Sequence, residues 1–95
     1  MATGRSQPDA GFFPSRWERA TKSERNYLRS MAEDGDAGSN MGVVAERLGT
    51  SQNKLGPARA GLRSKGLIYA PEHGQVAFTV AGMAAFIQRQ YDAPA

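Results

Sequence analysis

The sequence contains no cysteine and only one histidine and one tryptophan among its 95 residues. Without cysteine the chain can form neither disulfides nor thiolate metal sites, so its fold depends on packing alone. Apolar runs are short, and none approaches the roughly 18 residues that a membrane-spanning helix requires. The N-terminal stretch also lacks the basic start and apolar segment of a secretory signal. We therefore expect a cytoplasmic protein with no membrane partner.

The residue patterns of common catalytic and nucleotide-binding sites are absent as well. The sequence has neither a Gly-x-x-x-x-Gly-Lys-Ser/Thr loop nor a Gly-x-Gly-x-x-Gly turn, and its single histidine belongs to no metal-ligand cluster. Ser51 or Ser64 could be paired with His73, but no motif places a carboxylate that would orient the histidine. The sequence therefore predicts no enzymatic activity and no cofactor.

Charge is modest in amount and uneven in distribution. Twelve basic residues outnumber nine acidic ones, which gives a net charge of +3 at neutral pH. No carboxylate occurs from residue 51 to residue 70, whereas acidic residues gather at positions 33–36 in a predicted loop. The cations of the carboxylate-free stretch are Lys54, Arg59, Arg63 and Lys65. This stretch could contact a polyanionic partner.

The composition, with 40% hydrophobic and 22% charged residues, is typical of one small globular domain. Residues 1–15 have no apolar period and are interpreted as a disordered tail or linker, the domain as residues 16–91, and residues 92–95 as a second frayed tail. The closing sequence YDAPA is expected to fray. Three aromatic residues at the start are expected to pack on the first helix of the domain: Phe12, Phe13 and Trp17.

A capping box predicts the start of the first helix. Thr21 is followed three residues later by Glu24, so each side chain can accept a hydrogen bond from the backbone amide of the other residue. The predicted helix covers about residues 21–34, with one apolar side formed by Tyr27, Leu28 and Met31.

Two further helices are predicted on either side of a tight turn. Asn40 can cap a short helix that ends at Gly49. Ser51 can cap a longer helix that runs to Lys65, where Gly66 provides a left-handed stop. Two helices joined by so short a turn are typical of a helix-turn-helix.

The apolar period then changes from 3.6 to 2, which predicts two strands at about residues 67–70 and 76–80. In the second strand Val76, Phe78 and Val80 are expected to point to one side, and Ala77 and Thr79 to the other. A final helix is predicted at about residues 81–90. The predicted fold is therefore α+β and mostly α: a winged helix-turn-helix with a three-helix core, a β-hairpin wing and a C-terminal helix.

The helix predicted at residues 51–65 is the candidate DNA-recognition helix. On a helical wheel its apolar side is opposed by small and polar residues, with Arg63 on one edge and Lys54 and Lys65 on the other. Such a strip could approach the floor of the major groove. The predicted DNA contacts are Gln52, Asn53, Lys54, Gly56, Pro57, Arg59, Ala60, Arg63, Ser64, Lys65 and His73.

These residues have alternative interpretations. Gln52 and Asn53 could read adenine, or they could satisfy free backbone amides in the first helical turn. The lysines and Arg63 could bind phosphates or form a solvated basic surface. The stem of Arg59 could cover the core edge while its charged end reaches water. His73 lies at the tip of the hairpin, where a strong minor-groove contact is not expected.

Pro57 leaves the start of this helix open. Within a helix, proline removes one hydrogen bond and disfavours the helical conformation at the preceding Gly56. Either the helix is kinked at Pro57, or it begins near Gly56 and residues 51–55 form a separate turn.

The motifs VAERLG, LGPAR, KGLIYAP and AFTV, together with ERNYLRSMAEDG, resemble the winged-helix domain at the C-terminus of certain bacterial AAA-family ATPases. The resemblance covers about residues 17–90. It implies a module that binds double-stranded DNA, or that docks on the ATPase portion of a longer chain. Gly56, Gly61 and Gly82 occur where such domains carry better helix formers, which predicts a domain of marginal stability. DNA binding is the leading hypothesis, and protein docking without DNA contact is the alternative.

Overall fold

The architecture of the protein is known from a computed structural model that describes residues 12–92. The helices are α1 (Phe12–Arg19), α2 (Lys22–Ala32), α3 (Met41–Arg47), α4 (Gly56–Ser64) and α5 (Met83–Asp92). The strands are β1 (Ser39–Asn40), β2 (Ile68–Tyr69) and β3 (Gln75–Phe78), and a 3₁₀ helix (Gly35–Ala37) precedes β1. The fold is thus α+β and mostly helical, as predicted. Among residues 12–92, no helix is both long enough and apolar enough to cross a membrane.

The predicted capping box at the start of α2 is confirmed. The Glu24 amide donates to Thr21 Oγ1 at 3.1 Å, and the Thr21 amide donates to Glu24 Oε1 at 2.9 Å. The apolar side of α2 is fully buried and forms the centre of the core. The largest fully buried side chains of the core are Tyr27, Leu28, Met31, Leu62, Ile68, Ile87, Val44 and Val76.

Helix α1 begins at Phe12, within the stretch predicted to be a structureless tail. Phe13 is buried, and its ring centroid lies 5.6 Å from that of Phe86 in α5. Trp17 also packs edge-on against Phe86, at 6.5 Å. The prediction that these aromatic residues pack on the first predicted helix is confirmed for Trp17, because Arg25 of α2 stacks on its ring at 5.3 Å. The contacts of Phe13 and Trp17 with Phe86 of α5 were not predicted. Residues 1–11 lie outside the described part of the chain.

The segment from α3 to α4 answers the question that Pro57 left open. Asn40 caps α3 as predicted, since its Oδ1 accepts from the Gly42 amide at 2.8 Å. Helix α4 begins at Gly56, and residues 51–55 form a separate turn. Pro57 lies in the first turn of α4, where the N–H that proline lacks would have had no helical acceptor.

The sheet has three antiparallel strands in the order β1-β3-β2. Its registers pair Ser39 with Val76 and Ile68 with Phe78. The pairing of β2 with β3 was predicted, whereas β1 has only two residues and therefore no alternation to recognise. Ala77 is buried, as are Val76 and Phe78, so both faces of β3 are covered. A Cβ built on Gly38 would lie only 3.5 Å from the Ala77 Cβ, so the segment before β1 covers this second face of the sheet.

The last helix packs on α2, and both of its ends are anchored. The Gly82 amide, just before α5, donates to Asp36 Oδ2 in the 3₁₀ helix at 3.0 Å. Near the other end, the Tyr91 ring lies 5.9 Å from the Trp17 ring, and the Arg29 guanidinium stacks on Tyr91 at 3.9 Å. The prediction that the chain frays from Tyr91 is therefore wrong for Tyr91 and for Asp92, which both belong to α5. Residues 93–95 lie outside the described part.

Candidate nucleic-acid interface

The outer side of α4 and the turn before it form one surface that the described part of the chain does not cover. Ala58 and Leu62 point into the core, which directs the opposite side of the helix to solvent. We call seven exposed residues of this surface the α4 outer face: Gln52, Asn53, Lys54, Pro57, Ala60, Arg63 and Ser64. All seven are among the DNA contacts predicted from the sequence.

The turn at residues 51–55 has its own hydrogen bonds. Ser51 Oγ accepts from the Lys54 amide at 3.4 Å, and the Gln52 carbonyl accepts from the Leu55 amide at 3.1 Å. Among the described residues, the side chains of Gln52 and Asn53 take part in no hydrogen bond. Their amide groups are therefore available to an external ligand.

Lys65 does not belong to this surface, although it was predicted to share an edge with Lys54. It lies seven residues after Ala58, which is almost two full helical turns, and therefore faces the same inner side. Its ammonium lies 2.5 Å from Glu24 Oε1 and donates to the Arg19 carbonyl at 3.1 Å. Of the three cations predicted at the edges of the recognition helix, Lys54 and Arg63 therefore remain on the α4 outer face.

Glu24 is buried beneath the inner side of α4. Burial alone would raise the pKa of Glu24, but the hydrogen bond from Lys65, the bond from the Thr21 amide and the Lys65 charge together lower it. The carboxylate therefore remains charged at neutral pH while it connects α2 to the end of α4.

Gly61 makes the approach of Glu24 possible. A Cβ built at Gly61 would collide with the Glu24 carboxylate. From the sequence, Gly61 was interpreted as a weak point of the helix. In the structure the glycine leaves room for the carboxylate that pairs with Lys65.

The two arginines of α4 differ in exposure. Arg63 is exposed, whereas Arg59 is half-buried and its Nη1 is buried without a hydrogen-bond partner among residues 12–92. The prediction that the charged end of Arg59 reaches water is therefore wrong for Nη1. Gly56 is half-buried at the start of α4, and the atom nearest to a Cβ built there is Arg59 Nη2 at 3.9 Å.

The turn between β2 and β3 carries little charge. His73 is exposed beside the exposed Glu72, whose carbonyl accepts from the Gln75 amide at 3.0 Å. Tyr69, on β2, is 49% exposed. The hairpin therefore offers an aromatic side chain and one histidine to a partner.

The acidic stretch at residues 33–36 is partly neutralised within the fold. Both Nη atoms of Arg47 donate to the Asp34 carboxylate at 2.8 Å, and Ser39 Oγ donates to it at 2.7 Å. The Arg47 bonds lower the pKa of Asp34, burial opposes them, and the Ser39 bond and Arg47 charge lower it further. This ion pair connects the segment before β1 to α3.

Comparison with known proteins gives one result. Residues 10–87 match the model of a family described as a domain of unknown function (DUF8462). No curated protein and no solved structure matches the chain.

Proposed function

This chain belongs to the DUF8462 family, and we propose that it is a DNA-binding module that places α4 in the major groove. The single observation that carries the proposal is the α4 outer face, which is exposed, contains no carboxylate and includes two cations. Of these cations, Lys54 precedes the helix and Arg63 lies in its last turn.

The side chains of the outer face are suited to a groove. Pro57, Ala60 and Ser64 are small or compact, so they allow the helix backbone to approach base edges closely. Phosphate contacts require charge and reach but little geometric precision, and Lys54 and Arg63 have both. The free amides of Gln52 and Asn53 lie at the start of the segment, where they could reach adenine.

The order of elements supports a winged helix-turn-helix as the finer fold. In this proposal α2, α3 and α4 are the three-helix core, and the β2–β3 hairpin is the wing. An α-helix with its side chains is about 10–12 Å across, which fits the roughly 12 Å width of the major groove. A cytoplasmic location and attachment to the ATPase portion of a longer chain are the further parts of the proposal that rest on sequence.

The test is a fluorescence anisotropy titration of a labelled mixed-sequence duplex at two or more salt concentrations. With two phosphate contacts, from Lys54 and Arg63, the slope of log affinity against log salt should be near −2. Arg63→Glu should weaken binding to all sequences, whereas Asn53→Ala should change the preference among sequences. Arg89→Glu is the matched control, since it makes the same charge change on α5, which packs on α2.

Protein docking is the second candidate. Two observations favour it. Lys65 pairs with Glu24 rather than facing a ligand. In the hairpin, Tyr69 is exposed and Glu72 would repel phosphate. Absence of duplex binding at low salt would contradict the DNA proposal and favour docking. Wild-type affinity in both the Arg63 and Asn53 variants would show that DNA binds elsewhere on the protein.

A further inference from the structure

We propose that Gly42 positions Gln52 to read a DNA base through the carbonyl oxygen of its side chain, an inference that rests on the proposed DNA-binding function. The two residues belong to different elements, since Gly42 lies in the first turn of α3 and Gln52 in the turn before α4. Gln52 Nε2 is 3.4 Å from the point where a Cβ on Gly42 would lie. Because Gly42 has no side chain, the Gln52 amide lies close to the α3 backbone.

A neighbouring amide group determines which end of the Gln52 side chain faces α3. Asn40 Oδ1 lies 3.1 Å from the same point at Gly42. It accepts from the Gly42 amide at 2.8 Å and from the Val43 amide at 3.3 Å, so this atom of Asn40 is the oxygen. Partial charges of opposite sign attract, and the NH₂ end of Gln52 is therefore favoured on the side of Asn40. The carbonyl oxygen of Gln52 occupies the other branch of the planar amide and is left for a ligand.

The Gln52 side chain is restrained in position without being used by the fold. It is exposed and takes part in no hydrogen bond among residues 12–92. Its carbonyl oxygen thus has both lone pairs available. A side chain that already lies in its binding orientation loses less rotamer freedom on binding than an unrestrained one. Gln52 is therefore suited to a base contact.

A carbonyl oxygen selects bases by their amino groups. In the major groove adenine presents N6–H₂ and cytosine presents N4–H₂, whereas guanine and thymine present the acceptors O6 and O4. An acceptor on the protein therefore favours adenine or cytosine on the contacted strand. Bidentate contact with adenine is different, because it uses both the nitrogen and the oxygen of a glutamine amide. At the contacted position, A·T and C·G should be bound alike, and both better than T·A and G·C.

The base preference is tested with randomised duplexes. Selection of bound duplexes by the wild-type protein and by Gln52→Ala identifies the position at which the preference depends on Gln52. In anisotropy titrations at that position, the wild-type protein should bind A·T and C·G about five- to tenfold more tightly than the reversed pairs. Gln52→Ala should bind all four duplexes with nearly equal affinity. A preference for A·T alone would overturn the proposed orientation of the amide.

The role of Gly42 is tested by a double-mutant cycle. Gly42→Val fills the space beside the α3 backbone and displaces the Gln52 amide, so the base preference should fall to about twofold or less. In the Gln52→Ala background, Gly42→Val should not change the preference further. An effect transmitted through the Asn40 cap would be the same in both backgrounds. Equal effects of Gly42→Val in the two backgrounds would therefore overturn the positioning role.

An NMR measurement tests the position of Gln52 without any substitution. In the free wild-type protein, the side-chain amide protons of Gln52 should give a nuclear Overhauser effect to the α protons of Gly42. Absence of this signal would contradict the inference.

The outcomes separate this inference from the proposed function. If Arg63→Glu weakens binding while Gln52→Ala keeps the wild-type base preference, Gln52 reads no base and the DNA proposal stands. If the wild-type protein binds no duplex at low salt, the DNA proposal itself fails, and the base contact fails with it.

Discussion

The inner and outer sides of α4 use the same residue types for different purposes. On the inner side, Gly61 leaves space for the Glu24 carboxylate and Lys65 pairs with it. On the outer side, a Cβ at Gly56 would have no close contact and Arg63 is exposed. A glycine or a cation in this helix is therefore structural or available to a ligand according to the side on which it lies.

The largest effect on stability should come from removing the charge of Lys65. Lys65→Met leaves the Glu24 carboxylate buried without its counter-charge, and removing one partner of a buried pair is costly. Because the Lys65 side chain is 31% exposed, we expect a loss of about 2 kcal/mol in the free energy of unfolding. Urea denaturation measures this loss. Arg63→Met, on the outer side, should change stability by less than about 0.5 kcal/mol, and equal effects of the two variants would remove the distinction between the sides.

A smaller effect is expected from the paired glycine substitutions. Gly61→Ala forces the Glu24 carboxylate away from its hydrogen bonds and should cost about 1 to 2 kcal/mol, after the better helix propensity of alanine is counted. Gly56→Ala meets only Arg59 Nη2 at 3.9 Å and should be neutral or stabilising by up to about 1 kcal/mol. Thermal and urea unfolding of both variants would measure this contrast. If Gly61→Ala is as stable as Gly56→Ala, the packing role of Gly61 is disproved.

Low pH should reduce the stability that the Glu24–Lys65 pair contributes, and this effect should be smaller still. Since the pKa of Glu24 is lowered in the folded protein, its contribution to stability is complete above the unfolded value of about 4.3. The contribution is lost as the pH falls from that unfolded pKa through the lower pKa of Glu24 in the folded protein. Urea midpoints between pH 7 and pH 3 should therefore decrease, and the decrease should be smaller in Lys65→Met. Parallel pH profiles of the two proteins would contradict the role of Lys65.

Much of the fold could be predicted because it depends on local signals. The capping box of Thr21 and Glu24, the Asn40 cap and the left-handed glycines that end α3 and α4 each act within a few residues. The buried sides of the helices also follow from the apolar period. These features need no knowledge of what lies across the core.

What could not be predicted depends on distant partners. Helix α1 has few local signals and is held by contact with Phe86, more than 60 residues away. Strand β1 exists because β3 pairs with it, and Lys65 turns inward because Glu24 is there to receive it.

The sequence predicted most of the residues that form the candidate site. Seven of the eleven predicted contacts are exposed on one surface, and the start of the helix was correctly given as one of two alternatives. The inward position of Lys65 follows from its spacing after Ala58 and from its partner Glu24 on α2. Whether any of these residues binds DNA stays a prediction.

The bond between Asp36 and Gly82 also has a consequence for synthesis of the protein. Its two partners are 46 positions apart, so a growing chain must reach residue 82 before the aspartate can find its donor. Until then the surface of α2 that receives α5 has no cover, and Phe13 lacks the ring of Phe86. The packing of α1 and α2 against α5 can therefore be completed only after residue 86 has been added to the chain.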